Sequence, residues 1–153
     1  MFDERYTPVK LDDTNLFKPL KLNDKITLQH RAVMVPLTRK RADDKYVLKQ
    51  DLSHWEEEDW KQFAAQPENN VDSVNKKGLV TEYYHQRSIR PGTLIIAEAT
   101  FISGKAGGYE NVPGIWNDEQ AASLKKVIDA IHANKSYMFV QLWNLGRQAD
   151  PIV

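Results

Sequence analysis

The apolar positions of the chain fall into two kinds of run. Ala32 to Val35, inside RAVMVPLTRKR (Arg31 to Arg41), is a short continuous run stopped by Pro36. Thr93 to Ile102 (TLIIAEATFI) and Tyr137 to Trp143 (YMFVQLW) are continuous too, and rich in β-branched or aromatic residues. Runs this short, with Pro or Gly at their boundaries, predict buried parallel strands over Arg31 to Thr38, Thr93 to Ile102 and Tyr137 to Trp143. The second kind has helical spacing. Leu79 pairs with Tyr83 and Val80 with Tyr84 in LVTEYYHQRS, which Arg90-Pro91-Gly92 stops. Leu124, Val127, Ile128 and Ile131 form one stripe, with Asn117 placed to cap the helix, Asp118 and Glu119 in its first turn and Asn134 at its end.

Ahead of the first strand, Leu16 to Leu28 reads as two short alternating runs around Asn23-Asp24, a small hairpin. The resulting division is an arm over 1–15, the hairpin and first strand over 16–42, a polar segment over 43–78, and helix, strand, helix and strand over 79–153. The 43–78 segment holds acidic clusters, two tryptophans and a polar tract, Gln66 to Asn70, with little periodicity. Ser53 and Glu56 could form a capping box there, but the apolar face is poor, so a surface excursion or a charged surface helix is expected. A hairpin followed by strands alternating with helices predicts an α/β fold with a parallel sheet and right-handed crossovers.

Composition narrows the partners. The 153 residues suffice for one domain, and 21 basic against 21 acidic side chains give no net charge, so neither nucleic acid nor an anionic membrane is favoured as a partner. Cysteine is absent, which excludes disulfides and thiolate catalysis and fits a reducing compartment, the cytoplasm. No apolar run reaches the roughly 18 residues of a membrane span, and MFDERYTPVK lacks the apolar core of a secretory signal.

In a parallel α/β sheet, ligands are met at the carboxyl ends of the strands. The first strand delivers Leu37 and Thr38 there, the second Glu98, Ala99, Thr100 and Phe101, the third Gln141 and Trp143. Such a set suits a flat heteroaromatic ligand with amide-like edges. Thr38 can donate to a ring carbonyl, and Gln141 can donate and accept along a pyrimidine edge. Ala99 admits close backbone approach, and Phe101 and Trp143 wall the space above. Each residue alone has a structural explanation; their joint occurrence at three successive strand ends points to a ligand site. The four histidines show no HxxH or HExxH spacing, no G-x-S-x-G elbow or G-x-G-x-x-G fingerprint occurs, and Gly104-Lys105-Ala106-Gly107-Gly108 lacks the order of a phosphate loop.

NLFKPLKL, HRAVMVPLTRKRA, EYYHQRS, RPGTLIIAEATFIS, AGGYENVPGIW and FVQLWNLGR, in this order and spacing, resemble the amino-terminal portion of the old yellow enzyme family, particularly its fungal members. The resemblance implies part of a TIM (β/α)8 barrel whose bottom is closed by the hairpin. It implies FMN as cofactor and NADPH as hydride donor, with an activated alkene such as an enone as the small-molecule substrate, hence an NADPH dehydrogenase or ene-reductase. Pro36, Leu37 and Thr38 then match first-strand flavin contacts, Thr38 having the catalytic role of bonding the flavin carbonyl beside N5. Ala99 matches the small residue near the ring and Gln141 the glutamine on the pyrimidine edge, while Phe101 and Trp143 match the substrate pocket.

Two departures qualify the likeness. The family's link after the first strand is shorter, so 43–78 reads as an insertion. The chain stops after the third strand, so it is expected to be a truncated portion: the family's His and Asn pair, its tyrosine proton donor and its FMN phosphate site belong to later strands. Three strands leave open edges, so a homo-oligomer or a complementing chain is expected, with little turnover by the chain alone. The alternative is a non-catalytic remnant or interaction module that keeps part of the flavin site.

Overall fold

A computed structural model describes residues 10, 12, 14–50, 61, 65 and 78–149. Most of the expected arm, and the Ser53 and Glu56 capping box, lie outside the described residues. The hairpin forms where the turn dipeptide predicts it. Strands β1 (Leu20–Lys21) and β2 (Thr27–Leu28) pair antiparallel, with Leu20 opposite Leu28. Asn23 closes the turn, its Oδ1 accepting the Lys25 and Ile26 N–H groups at 2.8 and 2.9 Å.

The hairpin docks against the amino end of the sheet. The Gln29 N–H donates to the Gly92 carbonyl, and buried His30 bonds the Thr93 hydroxyl through Nε2 at 2.9 Å. Gly92 has φ +75°, and a Cβ there would stand 2.7 Å from the Gln29 nitrogen. Left-handed backbone and close approach both require glycine at this point. Gly92→Ala is therefore expected to cost about 1–3 kcal/mol, read as a lower midpoint of chemical denaturation. An unchanged midpoint would contradict the docking.

Strands β3 (Val33–Met34), β4 (Leu94–Phe101) and β5 (Tyr137–Trp143) form a parallel sheet in the order β3-β4-β5. Helices α1 (Leu79–Arg87) and α2 (Asp118–Ala133) are the crossovers between successive strands. The architecture is the expected hairpin followed by βαβαβ, a parallel sheet that is not closed among the described residues. Val80, Tyr84, Ile95, Leu124, Val127 and Ile131 form one buried cluster between helices and sheet. The predicted α2 stripe is thus its packing face, with Ile128 at the border of the cluster.

Capping in α2 follows the sequence, and α1 is capped from a distant segment. Asn117 Oδ1 accepts the Gln120 N–H at 2.9 Å, while Gln120 Oε1 takes the Trp116 N–H, one residue before the cap. Gly78 precedes α1 with φ +87° and no capping side chain. Gln50 fills that role from a distance: its Oε1 accepts from the Thr81 N–H and hydroxyl, and its carbonyl from the Leu79 N–H. Asn134 ends α2 and ties it to α1, donating to the His85 carbonyl and the Ser88 hydroxyl.

Two expectations change in detail. The first strand is paired over Val33–Met34 alone, not from Arg31 to Thr38. Pro36 has no N–H to offer a ladder, and β4 is bulged where the pairing would continue. The described beginning of the polar segment, Asp43–Gln50, is built into the body. Leu48 is 5% exposed within the main cluster, Ala42 and Leu48 form an antiparallel bridge, and Ser123 donates to the Leu48 carbonyl at 2.8 Å.

Candidate functional site

The carboxyl end of the sheet is shaped by one irregularity. Ile96 pairs with Phe139 and Ala99 with Gln141, so β4 spends three residues where β5 spends two. The extra residue is a β-bulge at Ala97–Glu98. Strand partners share a face, so Ile96, Ala99 and Phe101 line the face of Phe139, Gln141 and Trp143, opposite to the helices. Simple alternation from Ile96 would have sent Glu98 to that face. The bulge turns Glu98 toward α1 and sets the small Ala99 beside Gln141. Thr100 braces it, its hydroxyl donating to the Glu98 carbonyl at 3.0 Å.

Around Ala99 stand the polar groups that the sequence singled out. Thr38 lies in the segment that follows β3 and Gln141 lies on β5, so they come from the two sides of β4. Both are exposed, and neither the Thr38 hydroxyl nor the Gln141 carboxamide has a hydrogen-bond partner among the described residues. Ala99 is buried, Pro36 half-buried and Leu37 exposed. The donor set fits a flavin ring: a hydroxyl and a carboxamide, which both donates and accepts, flank a residue with no side chain beyond Cβ.

The aromatic pair is stacked rather than standing as two separate walls. The rings of Phe101 and Trp143 lie 5.0 Å apart at 17°, with Phe101 at 0% exposure and Trp143 half-buried. Phe101 is therefore the support behind Trp143, and Trp143 is the accessible member. Phe101, Val112 and Leu145 form a second buried cluster, edged by Tyr46. Backbone bonds from Phe101 to Pro113 and Ile115, and from Gly114 to Tyr46, draw the loops after β3 and β4 around it.

Tyr109 was not foreseen among the site residues. It is exposed, lies 5.9 Å from Trp143, and has the Lys40 ammonium 5.2 Å above its ring. An aromatic following Gly107-Gly108 in a strand-end loop was the available signal. The segment after β3 contributes a second unforeseen set. Arg39 donates to the Tyr83 hydroxyl at 2.9 Å and lies over its ring, while Arg39, Arg41, Leu79, Val80, Tyr83, Tyr84 and Glu98 line a cavity of about 120 Å³.

Glu98 is the charged residue of this end that is most withdrawn from water, at 2% exposure. Its Oε2 accepts the Arg39 backbone N–H at 3.0 Å, and Oε1 is buried without a partner among the described residues. Burial pushes its pKa above the usual glutamate range, against the pull of the Arg39 N–H, the Arg39 charge and the Tyr84 hydroxyl. Burial and the neighbouring Glu98 likewise push the Tyr84 phenol up.

A glutamate whose pKa is higher folded than unfolded contributes stability that is complete below the unfolded value and is lost as pH rises through the folded one. Glu98→Gln is therefore expected to match the parent in Tm near pH 4 and to exceed it at about pH 8, the unfolded reference lying near 4.3. Parallel Tm profiles across that window would contradict this environment.

Comparison with known proteins places this geometry. Residues 61–151 match the NADH:flavin oxidoreductase / NADH oxidase family, a span that begins inside the polar segment. An NADP-dependent oxidoreductase of Aspergillus flavus is 47% identical over 137 residues, which cover 90% of this chain and 29% of that protein. Enoate reductase 1 of Kluyveromyces lactis is 42% identical over 144 residues, covering 94% and 29%. The crystal structure of Old Yellow Enzyme from a Pichia species superposes with a TM-score of 0.69 at 37% identity, over 93% of this chain and 29% of that one. The chain thus spans under a third of the length of these relatives. The likeness to old yellow enzymes, the parallel sheet and the matched span agree, and the chain belongs to the NADH:flavin oxidoreductase / NADH oxidase family.

Proposed function

We propose that the carboxyl end of the sheet holds the ring of FMN, within an NAD(P)H-dependent oxidoreductase of old yellow enzyme type that reduces activated alkenes such as enones. The observation that carries this is the pair of exposed polar side chains, Thr38 and Gln141, without hydrogen-bond partners among the described residues, on segments either side of the strand that presents Ala99. A bound flavin supplies the hydride chemistry, with NADPH as the donor. Thr38 would hold a ring carbonyl by its hydroxyl, and Gln141 would hold the pyrimidine edge. Pro36 and Leu37 shape the approach from β3, and Ala99 keeps the space open. Trp143, supported by Phe101, limits the substrate side, and stacking aromatics exclude water there. The names of the relatives, an enoate reductase among them, support the substrate class.

The test is the visible spectrum of the purified protein with FMN added. A flavin band that stays with the protein through gel filtration supports the reading of the site. A protein that leaves FMN fluorescence unquenched overturns it.

The same reading has a second copy or a complementing chain cover the open sheet face. Phe139 is 46% exposed and Val33 38% exposed on that face, large apolar areas for solvent to meet. Light scattering on the eluting protein is expected to give a mass above that of one chain if a second copy covers the face, and a stable monomer would contradict the second copy and leave the complementing chain.

A further inference from the structure

Three observations converge on Glu98. It sits on the bulge that sets Ala99 inward, one residue before it. Its Oε2 accepts the Arg39 N–H, one residue after Thr38, at 3.0 Å. The backbone ladder of β3 has already ended at Met34, so this side-chain bond stands where sheet pairing no longer holds the strand end. The backbone that carries the carboxylate is fixed on both sides: the Glu98 N–H donates to the Tyr84 hydroxyl at 3.2 Å, and the Thr100 hydroxyl donates to the Glu98 carbonyl.

We propose that Glu98 is a positioning residue for the flavin edge, its carboxylate replacing the missing ladder between β3 and β4 and thereby fixing where the Thr38 hydroxyl stands relative to Ala99. The inference rests on the flavin reading for its consequence, though not for the contact. A bond from a buried carboxylate to a main-chain N–H is charge-assisted and stronger than a neutral one, so one side chain can hold an exposed strand end. The groups facing the carboxylate are Arg39 and Arg41 from the segment after β3, and Tyr83 and Tyr84 from α1. In the adjoining core cluster, which holds Val80 and Tyr84, α2 and β5 contribute Leu124, Val127, Met138 and Val140, which carry no charge.

The test has one readout free of flavin and one that uses it. In the protein without FMN, the Arg39 amide proton is followed by NMR against pH. It is expected to lie downfield and to move as Glu98 titrates, with a midpoint above the ordinary glutamate range. Glu98→Gln, which keeps an acceptor oxygen, should retain the bond and lose the pH step. Glu98→Ala should lose the downfield position. In the second readout FMN affinity is measured for Glu98→Ala, Thr38→Ala and the double variant. Glu98→Ala is expected to weaken binding about tenfold, and the double variant should be no weaker than Thr38→Ala alone, because both remove the same contact.

An Arg39 amide indifferent to Glu98→Ala overturns the proposal, whatever the flavin does. Effects that multiply in the double variant overturn it as well, since Glu98 would then act on stability alone. If the parent protein fails to quench FMN fluorescence, the flavin reading falls, and the Arg39 amide alone decides whether Glu98 holds the strand end.

Discussion

Phe101→Ala is expected to lower unfolding stability by about 3–5 kcal/mol, the cost of emptying a fully buried aromatic site. Phe101 is at 0% exposure and touches three separate pieces of chain. It stacks on Trp143, meets Tyr46 edge-on at 6.4 Å, and shares a cluster with Val112 and Leu145. Gly107 shows how tightly the site is closed, since a Cβ there would come within 3.3 Å of the Phe101 ring. The loss should therefore be local as well as global. Trp143 and Tyr109 would lose their support, and amide exchange in the 104–114 loop should rise more than in α2. Denaturation with urea measures the first effect and residue-resolved exchange the second. A loss below 1 kcal/mol, or uniform exchange, would show that Phe101 is not the support of this end.

Gln120→Leu is the second large effect. The Gln120 side chain is 2% exposed and joins three segments: Nε2 donates to the Lys45 carbonyl at 3.0 Å, Oε1 accepts the Trp116 N–H at 2.9 Å, and its own N–H is capped by Asn117. Leucine keeps the volume and removes both side-chain bonds. Each orphaned main-chain group costs about 1–3 kcal/mol where it is shielded from water. The larger consequence is positional. The Lys45 turn carries Tyr46, whose carbonyl accepts the Gly114 N–H and whose ring packs on Phe101 and Trp116. Thermal unfolding of Gln120→Leu beside Gln120→Glu checks the assignment. Glu keeps the acceptor for Trp116 and loses the donor to Lys45, so it should fall between the parent and Leu. Equal loss in both variants would place the whole effect on the Lys45 bond.

These side chains also show what a sequence can and cannot disclose. The α2 helix was legible because its signals are local: a cap at Asn117, acids in the first turn and a stripe from Leu124 to Ile131. Strands β4 and β5 were legible from continuous β-branched and aromatic runs. The end of β3 was overextended because nothing in RAVMVPLT says where its partner stops, and that limit is set by a bulge sixty residues away in β4. A bulge changes register by one residue and leaves composition untouched. Gln120 reaching Lys45, Ser123 reaching Leu48 and Gln50 capping α1 are likewise bonds between distant segments, invisible to any periodicity.

For the candidate site the division is similar. Thr38, Ala99 and Gln141 are candidates on sequence because strand ends in a parallel sheet are privileged places, and their residue types suit an amide-edged ring. Phe101 and Trp143 were named as a pair, but their stacking, with one buried behind the other, depends on the same bulge. Glu98 was visible as a strand-end carboxylate without a role, since its partner is a main-chain N–H that no side-chain pattern marks. Tyr109 and Lys40 meet only through loop closure.

Thr38 and Gln141 are proposed to face one flavin ring. Equilibrium titration of FMN, followed by fluorescence quenching, tests this most directly when parent, Thr38→Ala and Gln141→Leu are compared with their Tm values. Both side chains are exposed and unpartnered among the described residues, so neither substitution should disturb folding. Each is expected to weaken FMN binding by about tenfold, the worth of one hydrogen bond to a ring polar group, with Tm unchanged. FMN affinity equal to that of the parent in both variants would contradict the site.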